Sequence, residues 1–452
     1  MIRARSAQYS PRDANCYDSS TMFAARRQHL LERLEPGAIA IFPSAPVHVR
    51  NGDVEHEYRP DSDLFYLTGF SEPDAVVVLR PAHAEHPFVM FLRPRDPERE
   101  VWDGARVGID DAVASFGASV AYPIAELAQR LGELVLDRSR LYYGLGRDRA
   151  MDDCVLRAIA QARGKARKGK TYPSEIVEPA AVLGEMRWRK SEVEIETMRR
   201  AAEITRDAFL RAYANARPGR YEYEIEGTLR ETWRMRGSER PAYPPIVASG
   251  PNACVLHYVR NNRRMEAGDL LLIDAGAEYG GYACDVTRTF PVGGKFTTPQ
   301  REIYELVLEA QLASIAAIAP GATIEQVHKV SAEVITRGLV RLGLLEGDVD
   351  KLITDEAFKK YFMHGTSHWL GMDVHDVGRY YVDGKPRPME PGCVLTVEPG
   401  LYFSPTAESV PPAYRGIGVR IEDDVVCTNA GPRVLTHDIP KLPDEIERLT
   451  SA

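Results

Sequence analysis

The chain has 452 residues, 44% hydrophobic and 27% charged, with a formal net charge of −8. That length exceeds one ordinary domain and predicts two or three, with apolar material enough for a large core. The acidic balance argues against nucleic acid or an anionic membrane as main partner, and no apolar run approaches the ~18 residues of a membrane span.

The opening segment, MIRARSAQYSPRDANCYDSS, is basic and polar without an apolar stretch, so it is not read as a signal peptide. Residues 1–20 are expected to be poorly ordered. A helix is predicted over Thr21–Leu34, stopped by Pro36-Gly37. Three short apolar runs follow, Ala38–Phe42, Ala75–Leu79 and Phe88–Leu92, each bounded by Pro, Gly or charge. They read as buried strands, and helical stretches at Ile124–Leu136 and Met151–Arg163 make this part an α/β domain. The basic run Gly164–Lys170 reads as a solvated loop. A boundary falls within Tyr172–Gly184, giving domains over residues 21–180 and 181–452.

The second domain opens with a capping box, Ser191 and Glu194, and a helix to about Ala216. Another helix is predicted from Pro299 to about Ala319. Each is followed by Pro-Gly, a short spacer and a second helix, at Pro218–Gly237 and Pro320–Gly338, and then by strand-rich sequence. This spacing predicts an internal duplication of a helix–helix–strand unit.

Chemistry concentrates around these strands. Leu270–Glu278 and Tyr282–Phe290 flank Gly280-Gly281 and read as a hairpin in which opposed residues sum to 561. Asp274 then opposes Thr287 and Asp285 opposes Gly276. The two acids become diagonal neighbours on one face, roughly 7–8 Å apart. Two carboxylates so placed repel unless a cation lies between them, either a metal or an arginine such as Arg288. In MHGTSHWLGMDVHD, three of the eleven histidines, His364, His368 and His375, fall within twelve residues. Glu398 ends the apolar strand of VLTVEPGLY, and Glu422 lies within that of GVRIEDDVV. Arg420 shares a face with Glu422, so an ion pair between them is the competing explanation. Four carboxylates and one histidine form an oxygen-rich set suited to Mn2+, with Co2+ or Zn2+ able to substitute. Such a surplus of acids points to two ions about 3.5–4 Å apart, an arrangement that performs hydrolysis. No G-x-S-x-G, H-E-x-x-H or Walker pattern competes. The six cysteines are scattered without a C-x-x-C pair. They read as reduced thiols of a cytoplasmic protein.

The ordered set Asp274, Asp285, His368, Glu398, Glu422 resembles the five ligands of the pita-bread aminopeptidase and prolidase superfamily. The phrases VLHY, GDLLLIDAGAEY, GYACDVTRTFP, HGTSHWLGMDVHD, EPGLY and RGIGVRIEDD match it, and RPDSDLFYLTGFSEPDAVVVL resembles the N-terminal domain of the aminopeptidase P group. The resemblance implies a pseudo-symmetric pita-bread catalytic domain behind a creatinase-type α/β domain. It implies a metal-bridging hydroxide attacking the bond between the first residue of a peptide and a proline at the second position. Asp274 would hold one ion; Asp285 and Glu422 would bridge both; His368 would complete the second. Glu398 would be a ligand and pass a proton to the departing nitrogen. His257 and His375 would line the substrate pocket and steady the tetrahedral intermediate, and His364 would contact the proline. Arg420 and Tyr402 would order the acids. The resemblance also implies a homodimer or homotetramer, with Trp102 a candidate to reach a neighbouring copy. Two alternatives stay open: a prolidase confined to dipeptides, and a metal-free binding protein of the same fold.

Overall fold

The computed structural model describes residues 19–451. The opening segment expected over residues 1–20 therefore lies almost wholly outside the described residues, as does Cys16. The chain divides into two compact units, one ending at Gly184 and the other beginning at Glu185.

The first unit is built on a six-stranded mixed sheet. Its order is Val120–Pro123, Phe88–Leu92, Val76–Leu79, Ala38–Pro43, Arg140–Tyr142, Glu175–Val177. The three central strands are the three apolar runs. Val76–Leu79 and Phe88–Leu92 are buried along their whole length, which suits uninterrupted valine, leucine and phenylalanine rather than alternation. Ser19–Arg33 and Arg149–Gly164 are helices as the periodicity predicts, whereas Ile124–Leu136 divides into a 3-10 turn over Ile124–Glu126 and a helix over Leu127–Leu134. One core joins Ile39, Ile41, Val78, Phe91, Leu131, Val155 and Ile159.

The second unit contains two helix pairs, Glu192–Asn215 with Glu222–Met235 and Thr298–Ala316 with Ile324–Arg341. Each pair packs closely, and both bury their apolar faces in one core with Leu271, Ile273, Phe290, Val419 and Ile421. The duplicated pattern is thus two helix pairs over a shared set of strands, and the mixed α/β class holds for the chain. The capping box at Ser191 and Glu194 forms, the Glu194 carboxylate accepting from Ser191 N at 2.9 Å.

The strand order Ile246–Ser249, Leu270–Asp274, Thr287–Pro291 sets out the first half's sheet. Its register is the one the Gly-Gly turn predicts: Asp274 opposes Thr287, and Glu278 opposes Ala283. Gly280 and Gly281 take φ of 58° and 77°, the left-handed region a tight turn of this kind demands. The hairpin is not continuous, however. The ladder is interrupted around Gly276 and Asp285, flanked by bonds from Ala275 N to Val286 O at 3.0 Å and from Cys284 N to Ala277 O at 3.1 Å, and the tip pairs on its other edge with Arg240-Pro241. In the second half Val394–Val397 pairs with Asp423–Thr428, and Gly400–Tyr402 with Gly418–Arg420. Glu422 therefore sits in a break between two strands rather than inside one. The halves meet where Glu422 N donates to Thr287 O at 3.1 Å and the Thr289 hydroxyl donates to Arg420 O at 3.0 Å.

Candidate metal centre

The breaks in both ladders are where the acids gather. Asp274 ends its strand, Asp285 lies in the lapsed part of the hairpin, Glu398 follows Val394–Val397, and Glu422 follows Gly418–Arg420. At such positions the backbone no longer alternates regularly, so side chains from four strands can turn toward one point. One oxygen or nitrogen from each of Asp285, His368 and Glu422 lies within 4.8 Å of the others. His368 Nε2 is 3.4 Å from Asp285 Oδ2 and 3.6 Å from Glu398 Oε1. Asp274 joins through Tyr243, whose Oη is 2.7 Å from Asp274 Oδ1 and also contacts Asp285 Oδ1. Asp285 and Glu422 are buried, whereas Asp274, His368 and Glu398 are partly exposed, so the cluster is open on one side.

The expected pairing of Arg420 with Glu422 is not what forms. Arg420 reaches across to Asp274 and donates to Tyr402 Oη at 2.9 Å and Thr287 Oγ1 at 3.0 Å. Glu422 instead accepts the Thr287 hydroxyl at 2.7 Å. The break after Arg420 turns Glu422 away from it, so the two-residue spacing no longer sets a common face. Arg288 does not serve the acids either. Fully buried, it donates to Asp423 Oδ1 at 2.7 Å and to the carbonyls of Thr287, Glu422, Ile439 and Pro440.

The protonation pattern follows from this crowding. Burial, together with Asp285, Glu398 and Asp274, raises Glu422 well above the ordinary carboxylate range. Burial raises Asp274 against the pull of Arg420, with Asp285 adding to the rise. Glu398 is pushed up to about 7 by burial, against the opposing charges of His368 and Arg420. For His368 burial acts downward, but the Asp285 hydrogen bond and charge and the Glu398 charge outweigh it, lifting the imidazole to about 9. Four acids and one imidazole thus compete for too little positive charge. Doubly charged ions among them would remove the conflict, and carboxylate oxygens with one imidazole nitrogen are the donors such ions take. His368 is oriented for this. Its Nδ1 lies 3.1 Å from Trp369 O, which directs the N–H there and leaves the Nε2 lone pair facing the acids.

The other histidines stand beside the cluster. His375 packs edge-on against His368, ring centroids 4.4 Å apart. His364 Nδ1 donates to Gly365 O at 2.7 Å, and its Nε2 lies 2.9 Å from Tyr402 Oη. A directed relay follows: Arg420 donates to Tyr402, and Tyr402 to His364, whose imidazole is neutral. Burial, reinforced by Arg420, holds His364 down to about 4. His257 is exposed on its loop, and burial, with the charge of His368 adding, holds His375 below its ordinary value.

Several participants escaped the sequence reading. Thr287 was recoverable, because the hairpin register sets it opposite Asp274. Tyr243, in RPAYPPIV, and Asp424, whose Oδ2 accepts from Asp285 N at 3.1 Å, carry no local signal.

An acid-rich centre with one imidazole, set between two helix–helix–strand repeats, defines a metallohydrolase of the pita-bread type. Metallopeptidase family M24 matches residues 196–429, and the aminopeptidase P N-terminal domain matches residues 23–142. The chain is 47% identical to the Xaa-Pro aminopeptidase of Escherichia coli K12 over 95% of this chain and 97% of that one. Aminopeptidase PepP of Pseudomonas aeruginosa has the same fold, with a TM-score of 0.94 at 50% identity, covering 96% of this chain and 98% of that one. A zinc-substituted E. coli aminopeptidase P in complex with product superposes with a TM-score of 0.92 at 46% identity, covering 95% and 98%. This chain belongs to metallopeptidase family M24, in its aminopeptidase P group, and is a metal-dependent peptidase.

Proposed function

We propose that the chain removes the first residue from peptides whose second residue is proline, using two divalent ions, Mn2+ first among them, held by Asp274, Asp285, His368, Glu398 and Glu422. The observation that carries this reading is the convergence of Asp285, Glu398 and Glu422 on His368 at a partly open face, with Asp274 joined to Asp285 through Tyr243. Once bound, the ions would acidify a water and polarise the scissile carbonyl. The chain's own groups do the rest. Glu398 faces both His368 and His364, Oε2 lying 3.8 Å from His364 Nδ1, and stands where a proton can be taken up and handed to the leaving nitrogen. That transfer is what proline requires, because its nitrogen carries no hydrogen in the peptide and must gain one to depart. His375 and His257 flank the carbonyl as hydrogen-bond donors, and neutral His364 offers the proline ring an apolar, uncharged contact. Arg420 and Tyr402 fix Asp274 and His364.

The same reading makes the protein a cytoplasmic homodimer or homotetramer. The five described cysteines are free of disulfides, and Trp102 is 84% exposed, which supports a contact with another copy. The test is a panel of Xaa-Pro, Xaa-Pro-Yaa and longer peptides, assayed with each metal. Cleavage of the tripeptide after the first residue is expected, and activity confined to Xaa-Pro would make the protein a prolidase. Glu398→Ala should abolish turnover while leaving circular dichroism unchanged, and substantial residual activity would refute the role given to it.

A further inference from the structure

The loop that carries His257 has no secondary structure from Val255 to Asn262, yet it begins and ends at one carboxylate. Glu222 is the first residue of the helix Glu222–Met235 and is completely buried. Its Oε1 accepts from Ser249 N at 2.7 Å, Ser249 Oγ at 2.7 Å and Asn252 Nδ2 at 3.1 Å. Its Oε2 accepts from Tyr258 Oη at 2.8 Å and Arg263 N at 2.8 Å. Its own N–H donates to Arg263 O at 3.0 Å. A carboxylate taken wholly out of water is costly unless compensated, and here five donors and the helix N-terminus compensate it. One turn on, Glu226 accepts from Asn261 Nδ2 at 2.8 Å, and Asn261 Oδ1 accepts from Val247 N at 2.9 Å. Asn261 holds a φ of 48°, which turns the chain back toward its start.

The bonded residues bracket His257. Asn252 lies five positions before it, Tyr258 directly after it, and Ser249 ends the strand paired with Asp274's strand. Fixing these points fixes how far the histidine projects toward the acid cluster. A loop without a ladder of its own would otherwise sample many directions, and misplacing a reacting group by an ångström is costly.

We infer that Glu222 is a positioning residue for the reaction: it clamps the 249–263 loop so that His257 is aimed at the scissile bond. This rests on the substrate-side role proposed for His257. Glu222→Gln is a sharp probe, because either amide orientation sets an NH2 group against a backbone N–H, that of Ser249 or that of Arg263. Using the metal-loaded enzyme and an Xaa-Pro-Yaa peptide, E222Q should lower kcat about tenfold with KM changed less than about twofold. Metal content should be unchanged, and amide exchange over 255–263 should quicken. In a double-mutant cycle, H257A/E222Q should be no slower than H257A within about twofold, because the clamp has then nothing to aim. If E222Q fails to fold, Tyr258→Phe, which deletes one of the five donors, should give a smaller loss that also vanishes in the H257A background. A damaging H257A combined with a fully additive E222Q or Y258F overturns the Glu222 inference alone. An H257A enzyme with unaltered kcat overturns the role of His257, and the inference with it.

Discussion

Among single residues, the acids are legible because each lies in or beside an apolar run of the sequence, where an unpaired charge is expensive. What stayed hidden is what each acid touches. Arg420 and Glu422 are two apart, and spacing alone pairs them; the structure gives Arg420 to Asp274, 146 residues away. Tyr243 and His328 had no pattern to betray them. His328 Nδ1 lies 2.9 Å from Thr366 Oγ1, and Thr366 O accepts from Glu398 N at 2.8 Å, so this imidazole braces the backbone under Glu398. Burial, with Lys359 adding, holds His328 below its ordinary 6.5. The unfolded chain therefore binds a proton that the folded chain refuses. Stability from His328 is complete above pH 6.5 and is lost as the pH falls from there toward the depressed folded value. Melting temperature measured against pH should decline more steeply below 6.5 in the parent than in His328→Gln, which keeps a partner for Thr366 without titrating. Parallel profiles would show that the protonation of this residue is not coupled to folding.

The hairpin shows what periodicity can and cannot deliver for an element. Its register followed from two glycines, and the pairs Asp274–Thr287 and Tyr279–Tyr282 obey it. Its interruption did not follow, because that depends on a backbone approach invisible in sequence. A Cβ on Gly276 would lie 1.7 Å from Cys284 O, against main chain that cannot swing aside. The two strands carrying Asp274 and Asp285 are thus closest where no side chain exists. Gly276→Ala should force them apart, costing about 1–3 kcal/mol or more, with a lowered melting temperature and weakened metal retention after dialysis. An alanine variant with parental stability and metal content would mean that the strands spread there without consequence.

At the scale of the whole molecule, the four long helices of the catalytic unit and the register of its first hairpin are legible in the sequence, since caps, Pro-Gly stops and apolar period agree with one another, whereas the division of its strands into several short sheets is not. The centre is different in kind, since its carboxylates are held together against a mutual repulsion that folding alone does not relieve. Metal should therefore be bound preferentially by the folded chain. Adding Mn2+ to chelator-treated protein should raise its melting temperature, with roughly 4 kcal/mol of stabilisation at a thousandfold excess over Kd. No shift with Mn2+, Co2+ or Zn2+ would count against a metal among these residues.

The buried Arg288 has a consequence for biosynthesis. It holds the carbonyl of Glu422 and those of Ile439 and Pro440, and Lys441 reaches Asp423 beside it, with Gln311 completing the knot at 2.7 Å. Strands made early are thus tied to a segment made 151 residues later. The first unit has its own sheet and core and can fold while translation continues. The peptidase unit cannot: its acid pocket waits for residues 436–441 to emerge. A nascent chain stalled before them should be inert and exposed to proteolysis, so the cell acquires the activity in a single late event.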